Sequence, residues 1–259
     1  MYEYVKLDFE ERVAVVTLNN PAALNSLSNQ LLNELGQVLS KIEGDDQIGA
    51  IIIWGGEKLF GAGAKIDEIS QMEKSYEAYI WSRGIQNLFD RIEKSPKATI
   101  AAIGGIALGG CLEMALACDL RVASLSAKVG LPEINLGVLP GAGGTQRLPR
   151  LIGVSRAKEM LLTGDSISAQ EAYRIGLVNR LAEDGNLLEE AMKLARKMSR
   201  KAPVARSMIK SAVDVGINLD LEQALEHEAK CFAILFNTDD MREGARAFVE
   251  KRAAVFQGR

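Results

Sequence analysis

Residues 98–119 read ATIAAIGGIALGGCLEMALACD, and this stretch sets the architecture. Ala98 to Ile103 is an apolar, partly β-branched run of strand length. Gly109 and Gly110 then break the chain, and Cys111 to Cys118 is well suited to helix. From Ile100 to Cys118 the chain is apolar for 19 residues apart from one acid, long enough to raise a membrane-spanning reading. Four glycines and Glu113 inside it argue instead for a buried strand, a glycine turn and a helix.

Outward from that stretch, strand-like and helix-like patterns alternate, the mark of a sheet packed against helices. Residues 1–18, MYEYVKLDFEERVAVVTL, read as two short strands, the second at Val13 to Leu18. Ile48 to Trp54 reads as another. Leu31, Leu32, Leu35, Val38, Leu39 and Ile42 recur at three- and four-residue spacing, as a helix with one buried stripe requires. Tyr79 to Ile92 predicts a second helix. After about residue 153 the strand signals fade, the clearest shift of composition in the chain. Ser168 and Glu171 form a capping-box pattern, Leu187 to Met198 carries a further apolar face, and Pro203, Asp220 and Asp239 sit near helix starts. No long linker, low-complexity tract or internal repeat is visible.

The bulk properties exclude several classes. The chain of 259 residues is 47% hydrophobic and 25% charged, as in an ordinary globular protein. A formal net charge of -3 gives no electrostatic reason to expect nucleic acid. The N-terminal charges stand where a secretory signal needs an apolar run. Cys111, Cys118 and Cys231 lack the number and spacing of a disulfide framework or zinc site, so a reducing cytoplasm is expected. The single histidine, His227, lies in a charged helical stretch and reads as a solvated residue rather than part of a triad. Neither a P-loop nor a dinucleotide fingerprint is present.

Two glutamates keep unusual company. Glu113 is the only charged residue between Thr99 and Asp119, and Glu133 the only one between Lys128 and Arg147. An acid among apolar side chains is desolvated, which raises its pKa toward the range useful for proton transfer. Two readings stand on the pattern: an acid and base pair, or carboxylates satisfied by backbone donors at a loop or helix start. The neighbouring glycines, which permit close backbone approach to a ligand, favour the first. The helix after Gly109-Gly110 aims free amides outward, and Phe60 to Ala64, FGAGA, offers a second such turn. Each turn is equally compatible with plain tight packing.

At this point the chain resembles the crotonase family, the enoyl-CoA hydratases and isomerases, over nearly its whole length. Asn20-Pro21 with Ala23-Leu24-Asn25, FGAGA at 60–64, ALGGCLEMALACDL at 107–120, GLPEINLGVLPGAGGTQRLPRLIG at 130–153 and FVEKR at 248–252 fall in the family's order and spacing. The resemblance implies an α/β fold, a ClpP-like spiral of ββα units over residues 1–195. It further implies a C-terminal helical trimerisation region over 196–259, in a homotrimer or a homohexamer made of two trimers. By the same pattern the amides of Ala64 and Gly110 form an oxyanion hole. Ala23, Leu24, Ala62, Lys65, Ile66, Gly109, Pro132 and Gly141 are expected at the substrate and coenzyme A site, with Phe248 and Lys251 reaching it from a neighbouring subunit.

Glu113 and Glu133 fall on the two carboxylate positions of the hydratases. The implied reaction adds water across the 2,3 double bond of a short-chain enoyl-CoA to give a 3-hydroxyacyl-CoA, as in fatty acid breakdown. Glu113 activates the water and Glu133 delivers a proton to the α-carbon. No metal or redox cofactor is implied, coenzyme A being part of the substrate. The alternatives are another reaction of the family, double-bond isomerisation or hydration of a cyclic dienoyl thioester, or a non-catalytic acyl-CoA or RNA binder. Retention of both glutamates favours hydration, and the lack of basic excess disfavours RNA. Tyr76 and Trp81 are candidates to shape the acyl pocket, with surface or core packing the plainer reading.

Three positions depart from the family pattern. Lys65 and Asp67 reverse the usual order of charges, which affects contacts to the adenosine end of the coenzyme. Ala22 stands where a lysine is common near the phosphates. Cys111 takes the third place of a three-glycine run, and because cysteine tolerates positive φ poorly, an altered turn is expected there.

Overall fold

The strand, glycine turn and helix of residues 98–119 are all present in the computed structural model, which describes residues 2–259. The chain begins β1 (Val5–Glu10), β2 (Val13–Leu18), α1 (Asn29–Glu43), β3 (Ala50–Trp54), α2 (Ile66–Ile69) and α3 (Ser75–Glu93). It continues β4 (Ala98–Ile103), β5 (Ile106–Leu108), α4 (Gly110–Leu116), β6 (Leu120–Ser124), β7 (Lys128–Gly130), α5 (Gly144–Ile152) and α6 (Val154–Thr163). The last part is β8 (Ile167–Ser168), α7 (Ala169–Arg174), β9 (Arg180–Ala182), α8 (Leu187–Ser199), α9 (Pro203–Gly216), α10 (Leu221–Leu235) and α11 (Asp239–Val249).

Six strands form one sheet in the order β1-β2-β3-β4-β6-β9, parallel except for the β1-β2 hairpin. The alternation of side chains in parallel strands covered on both faces explains the unbroken apolar runs in the sequence. Ala14, Val16, Ile51, Ile53, Ala101 and Ile103 face one core with α1, α3 and α4, while Val13, Val15, Ile52, Ile100 and Val122 face a second. Helix α8 closes the second core with Leu187, Ala191, Met192, Leu194 and Ala195. Burying each large aliphatic side chain contributes about 1.5–3 kcal/mol, so α8 is fixed to the sheet by its own stripe. All six stripe residues expected on α1 are buried, and the Ser28 hydroxyl caps that helix by accepting from the Leu31 amide at 3.2 Å.

A smaller sheet, β5-β7-β8, stands on the first core and positions the site. Strand β5 runs through Gly109 directly into α4, every residue of which is buried. The 19-residue apolar run is thus divided among β4, β5 and α4, and no helix among the described residues is long and apolar enough to cross a membrane.

Several expectations need correction. Strands do not end at residue 153: β8 and β9 follow, β9 as an edge of the main sheet. At two and three residues they are too short to show a period. The capping box at 168–171 is half formed. Ser168 Oγ accepts from the Glu171 amide, but the Glu171 carboxylate turns to Arg174 at 2.6 Å. His227 is half-buried rather than solvated, 3.2 Å from Ser211 Oγ where α10 meets α9. Helix α8 continues past residue 195 to Ser199. The α9-α10 pair packs chiefly on itself.

Candidate active site

Two backbone turns meet where β5 enters α4. Leu27 bridges the first turn, its amide donating to Gly63 O at 2.8 Å and its carbonyl accepting from the Lys65 amide at 3.2 Å. That pairing leaves the Ala64 amide between them without an acceptor. Gly110 opens α4, so its amide has no partner within the helix either. Among the described residues neither amide donates to any protein group. They are neighbours: a Cβ built on Gly110 would lie 3.7 Å from the Ala64 nitrogen. Leu27 Cδ1 covers the same point at 3.1 Å. Gly109 takes φ 51° and ψ -134°, and a side chain there would meet Glu133 Oε1 at 3.1 Å, so only glycine fits.

The altered turn expected from Cys111 does not occur. The positive φ falls on Gly109, whereas Cys111 is an ordinary helical residue of α4. Its thiol fills the space above Gly61, where a Cβ would overlap the sulfur, and accepts from the Gly63 amide at 3.4 Å. Cys111 therefore ties the first turn to α4. Burial pushes the thiol up to about 12, which keeps it neutral.

Glu113 lies one helical turn beyond Gly110 and is 2% exposed. Its Oε1 accepts from the Ala142 amide at 2.8 Å and the Gly144 amide at 2.7 Å, the latter being the first residue of α5. Its Oε2 lies 3.9 Å from a Cβ built on Gly110, on the side of the free amides. Burial raises the Glu113 pKa to about 7 against the opposing pull of the Gly144 amide, and the charge of Glu133 adds to the rise. The Ala142 amide and Arg147 act in the lowering direction. Arg147 is itself held by Asp90 at 2.8 Å and Glu93 at 2.6 Å on α3.

Glu133 projects from a short 3-10 helix, Pro132–Leu136, that Pro132 opens. It is half-buried, and burial raises its pKa while its own amide opposes. Its Oε2 is enclosed with no hydrogen-bond partner among the described residues. The two carboxylates thus flank Gly109-Gly110, one braced by amides and one with an oxygen unengaged. Leu131 and Pro140, each 2.9 Å from a Cβ built on Gly144, line the same place with apolar atoms.

The other expected positions are distributed as follows. Ala23 and Leu24 form an exposed turn in which Leu24 and Asn25 take φ 52° and 50°. The buried Asn25 side chain holds that turn, accepting from the Asn20 amide at 2.8 Å and donating to Phe60 O at 3.2 Å. The Ala62 amide donates to Leu24 O at 3.0 Å, which joins the turn to the first glycine loop. Ile66 is exposed at the start of α2, and Lys65 pairs with Glu68 at 3.5 Å while Asp67 faces out. Gly141 precedes the two amides that hold Glu113. Phe248 is 85% exposed at the end of α11, and Lys251 follows in a left-handed conformation. Tyr76 is exposed on α3. Trp81 packs beside Leu32 and Leu88 between α1 and α3. The Ala142 and Gly144 amides that hold Glu113 are not among the expected positions. The GAGG run at 141–144 followed by a helix was the only local signal for them.

Comparison with known proteins gives a consistent result. A family model described as Enoyl-CoA hydratase/isomerase matches residues 8–259. A short-chain-enoyl-CoA hydratase of Clostridium acetobutylicum is 43% identical over 249 residues, covering 96% of this chain and 95% of the relative. A crotonyl-CoA hydratase of Syntrophomonas wolfei is 42% identical over 256 residues, covering 98% of each. The crystal structure of an enoyl-CoA hydratase from Bacillus anthracis superposes with a TM-score of 0.94 at 41% identity, covering 99% of this chain and 100% of that one.

Proposed function

The chain belongs to the enoyl-CoA hydratase/isomerase family, and from that premise we infer an enoyl-CoA hydratase that converts a short-chain enoyl-CoA to its 3-hydroxyacyl-CoA. One observation carries the assignment of the site. Two desolvated carboxylates from separate elements flank the meeting of two turns, whose Ala64 and Gly110 amides have no protein acceptor among the described residues.

In the proposed reaction the thioester carbonyl accepts from the Ala64 and Gly110 amides. Negative charge that develops on that oxygen is stabilised, each such donor being worth roughly 3–4 kcal/mol. The α,β double bond is polarised, and its β-carbon becomes electrophilic. Glu113 removes a proton from water as the water oxygen bonds to the β-carbon. The π electrons move toward the α-carbon and carbonyl oxygen, and Glu133 delivers its proton to the α-carbon. The proton gained by Glu113 and the one lost by Glu133 balance, and exchange with solvent restores the starting pair.

The division of roles follows from the hydrogen bonds. When the pair holds one proton, Glu113 is the better site for the charge because two amides donate to its Oε1. Glu133 has no such donors at Oε2 and is the better site for the proton. Once Glu133 is neutral, its repulsion no longer raises Glu113. The working state is therefore Glu113 ionised and Glu133 protonated.

Around this centre we place the coenzyme along Ala23, Leu24, Ala62, Lys65 and Ile66. The exposure of Leu24 and Ile66 beside the glycine loop supports that path. The C-terminal region serves for trimerisation, with Phe248 and Lys251 offered to a neighbouring site. Exposed Ile209, Val213, Leu221 and Phe232 on α9 and α10 are the apolar surface such a contact needs. Cytoplasmic breakdown of short-chain fatty acids is the setting that fits.

The test is the loss of conjugated enoyl ultraviolet absorbance when purified protein meets crotonyl-CoA, with the product identified as 3-hydroxybutyryl-CoA. Rapid loss with that product is expected. Bound but unreacted crotonyl-CoA would move the assignment to another reaction of the family.

A further inference from the structure

We propose that Ser82 and Gln86 of α3 are positioning residues for Glu113, acting on it through the single peptide plane between Gly141 and Ala142. The inference rests on the assignment of Glu113 as the base. Ser82 and Gln86 are four apart, hence on one face of the helix, and both donate to the same carbonyl. Ser82 Oγ lies 2.6 Å from Gly141 O, and Gln86 Nε2 lies 2.8 Å from it. The N–H of that same peptide is the Ala142 amide, which donates to Glu113 Oε1 at 2.8 Å. Gln86 also donates to Ser82 Oγ at 3.2 Å, which makes the pair one unit.

Hydrogen bonds in series polarise one another, so two donors on the carbonyl make the amide a stronger donor to the carboxylate. They also fix the peptide plane, and with it the direction from which Glu113 is held. The chain offers Glu113 few other charges. Glu133 faces it from the 3-10 helix. Arg147 faces it from α5, already engaged by Asp90 and Glu93 of α3 and donating to Ala142 O at 3.1 Å. Cys111 on α4 is neutral, and β4 and β5, which also pack on α4, carry no charged side chain. Helix α3 thus controls the base twice, once by an ion pair through Arg147 and once by the peptide relay.

Glu113 must be ionised to accept a proton, so the acidic limb of kcat/KM reports its titration. Removing the two donors weakens an amide that favours the ionised form, and the limb moves to higher pH. The Ser82→Ala/Gln86→Leu double variant is expected to show a limb raised by about half a pH unit, roughly a threefold loss of rate on that limb. Its rate above the limb stays near that of the parent. Ser82→Thr, which keeps the hydroxyl, should keep the parent limb. A purely structural role would instead lower the rate at every pH without moving the limb.

Carboxyl-carbon NMR titration of Glu113, identified by the signal lost in Glu113→Gln, reads the same effect without turnover. A raised Glu113 midpoint in the double variant, or in Ser82→Ala alone if the double variant does not fold, supports the relay even if the parent protein hydrates no enoyl-CoA. An unmoved midpoint in the folded variant overturns the relay even if the parent is an active hydratase.

Discussion

Glu113, the proposed base, carries a charge that its buried surroundings disfavour. With Glu133 also ionised, its folded pKa of about 7 exceeds the ordinary carboxylate value of 4.5, so the pair as a whole holds one proton more strongly than free carboxylates do. Between those pH values the native state holds a proton that the unfolded chain releases, so stability falls as pH rises from 4.5 to about 7 and is level beyond. At one pKa unit per 1.36 kcal/mol, the cost at pH 8 is about 3 kcal/mol. Glu113→Gln keeps an acceptor for the Ala142 and Gly144 amides without the charge. It should stabilise the protein at pH 8 by up to about 3 kcal/mol and bring almost no gain at pH 4.5, in denaturant unfolding at fixed protein concentration. A gain equal at both pH values would show that Glu113 is not held up by burial. The glutamate was legible in the sequence as a lone charge in an apolar stretch. The amides that brace it were not, because a backbone N–H has no signature of its own, and Ala142 and Gly144 lie 29 and 31 residues away in the chain.

Among the elements, α1 and α3 were readable because each is long enough to show a helical period and packs by it, and β2, β3 and β4 because strands buried on both faces leave apolar runs of strand length. Helix α4 was readable in part. Its apolar composition and preceding glycines marked a helix, but the place of the turn's positive φ at Gly109 rather than Cys111 depends on the approach of Glu133 and on the sulfur's fit over Gly61. Strands β8 and β9 were hidden, since a strand of two or three residues is defined by its partner and not by its own pattern. Helix α1 offers a direct test of the element-level account. Ser28→Ala removes the cap on the Leu31 amide and should cost about 1 kcal/mol, leaving the catalytic rate of the folded protein unchanged. A change well under that figure would mean that packing alone fixes the start of α1.

For the molecule as a whole, the two cores cover the sheet on both faces, yet the last helices leave large apolar side chains in the open. Ile209 is 65%, Leu221 74% and Phe232 62% exposed, large apolar side chains that an interface between subunits would cover. We expect light scattering to return the mass of three or six chains, with Phe248 placed against a neighbouring site. A monomeric mass at full activity would remove Phe248 and Lys251 from the substrate site. The composition shift after residue 153 pointed to this helical region too early. Strand β9 still belongs to the main sheet and α8 closes its second core, both contacts that join distant parts of the chain.

The central claim is that Glu113 and Glu133 carry the hydration between them. It is tested most directly by the crotonyl-CoA hydration rate of Glu113→Gln and Glu133→Gln beside the parent, with binding of the substrate measured in the same preparations. Each variant should bind crotonyl-CoA and lose roughly 10²- to 10⁴-fold in kcat, the worth of a placed acid or base. A near-parental kcat in either folded variant would take that glutamate out of the reaction and contradict the account.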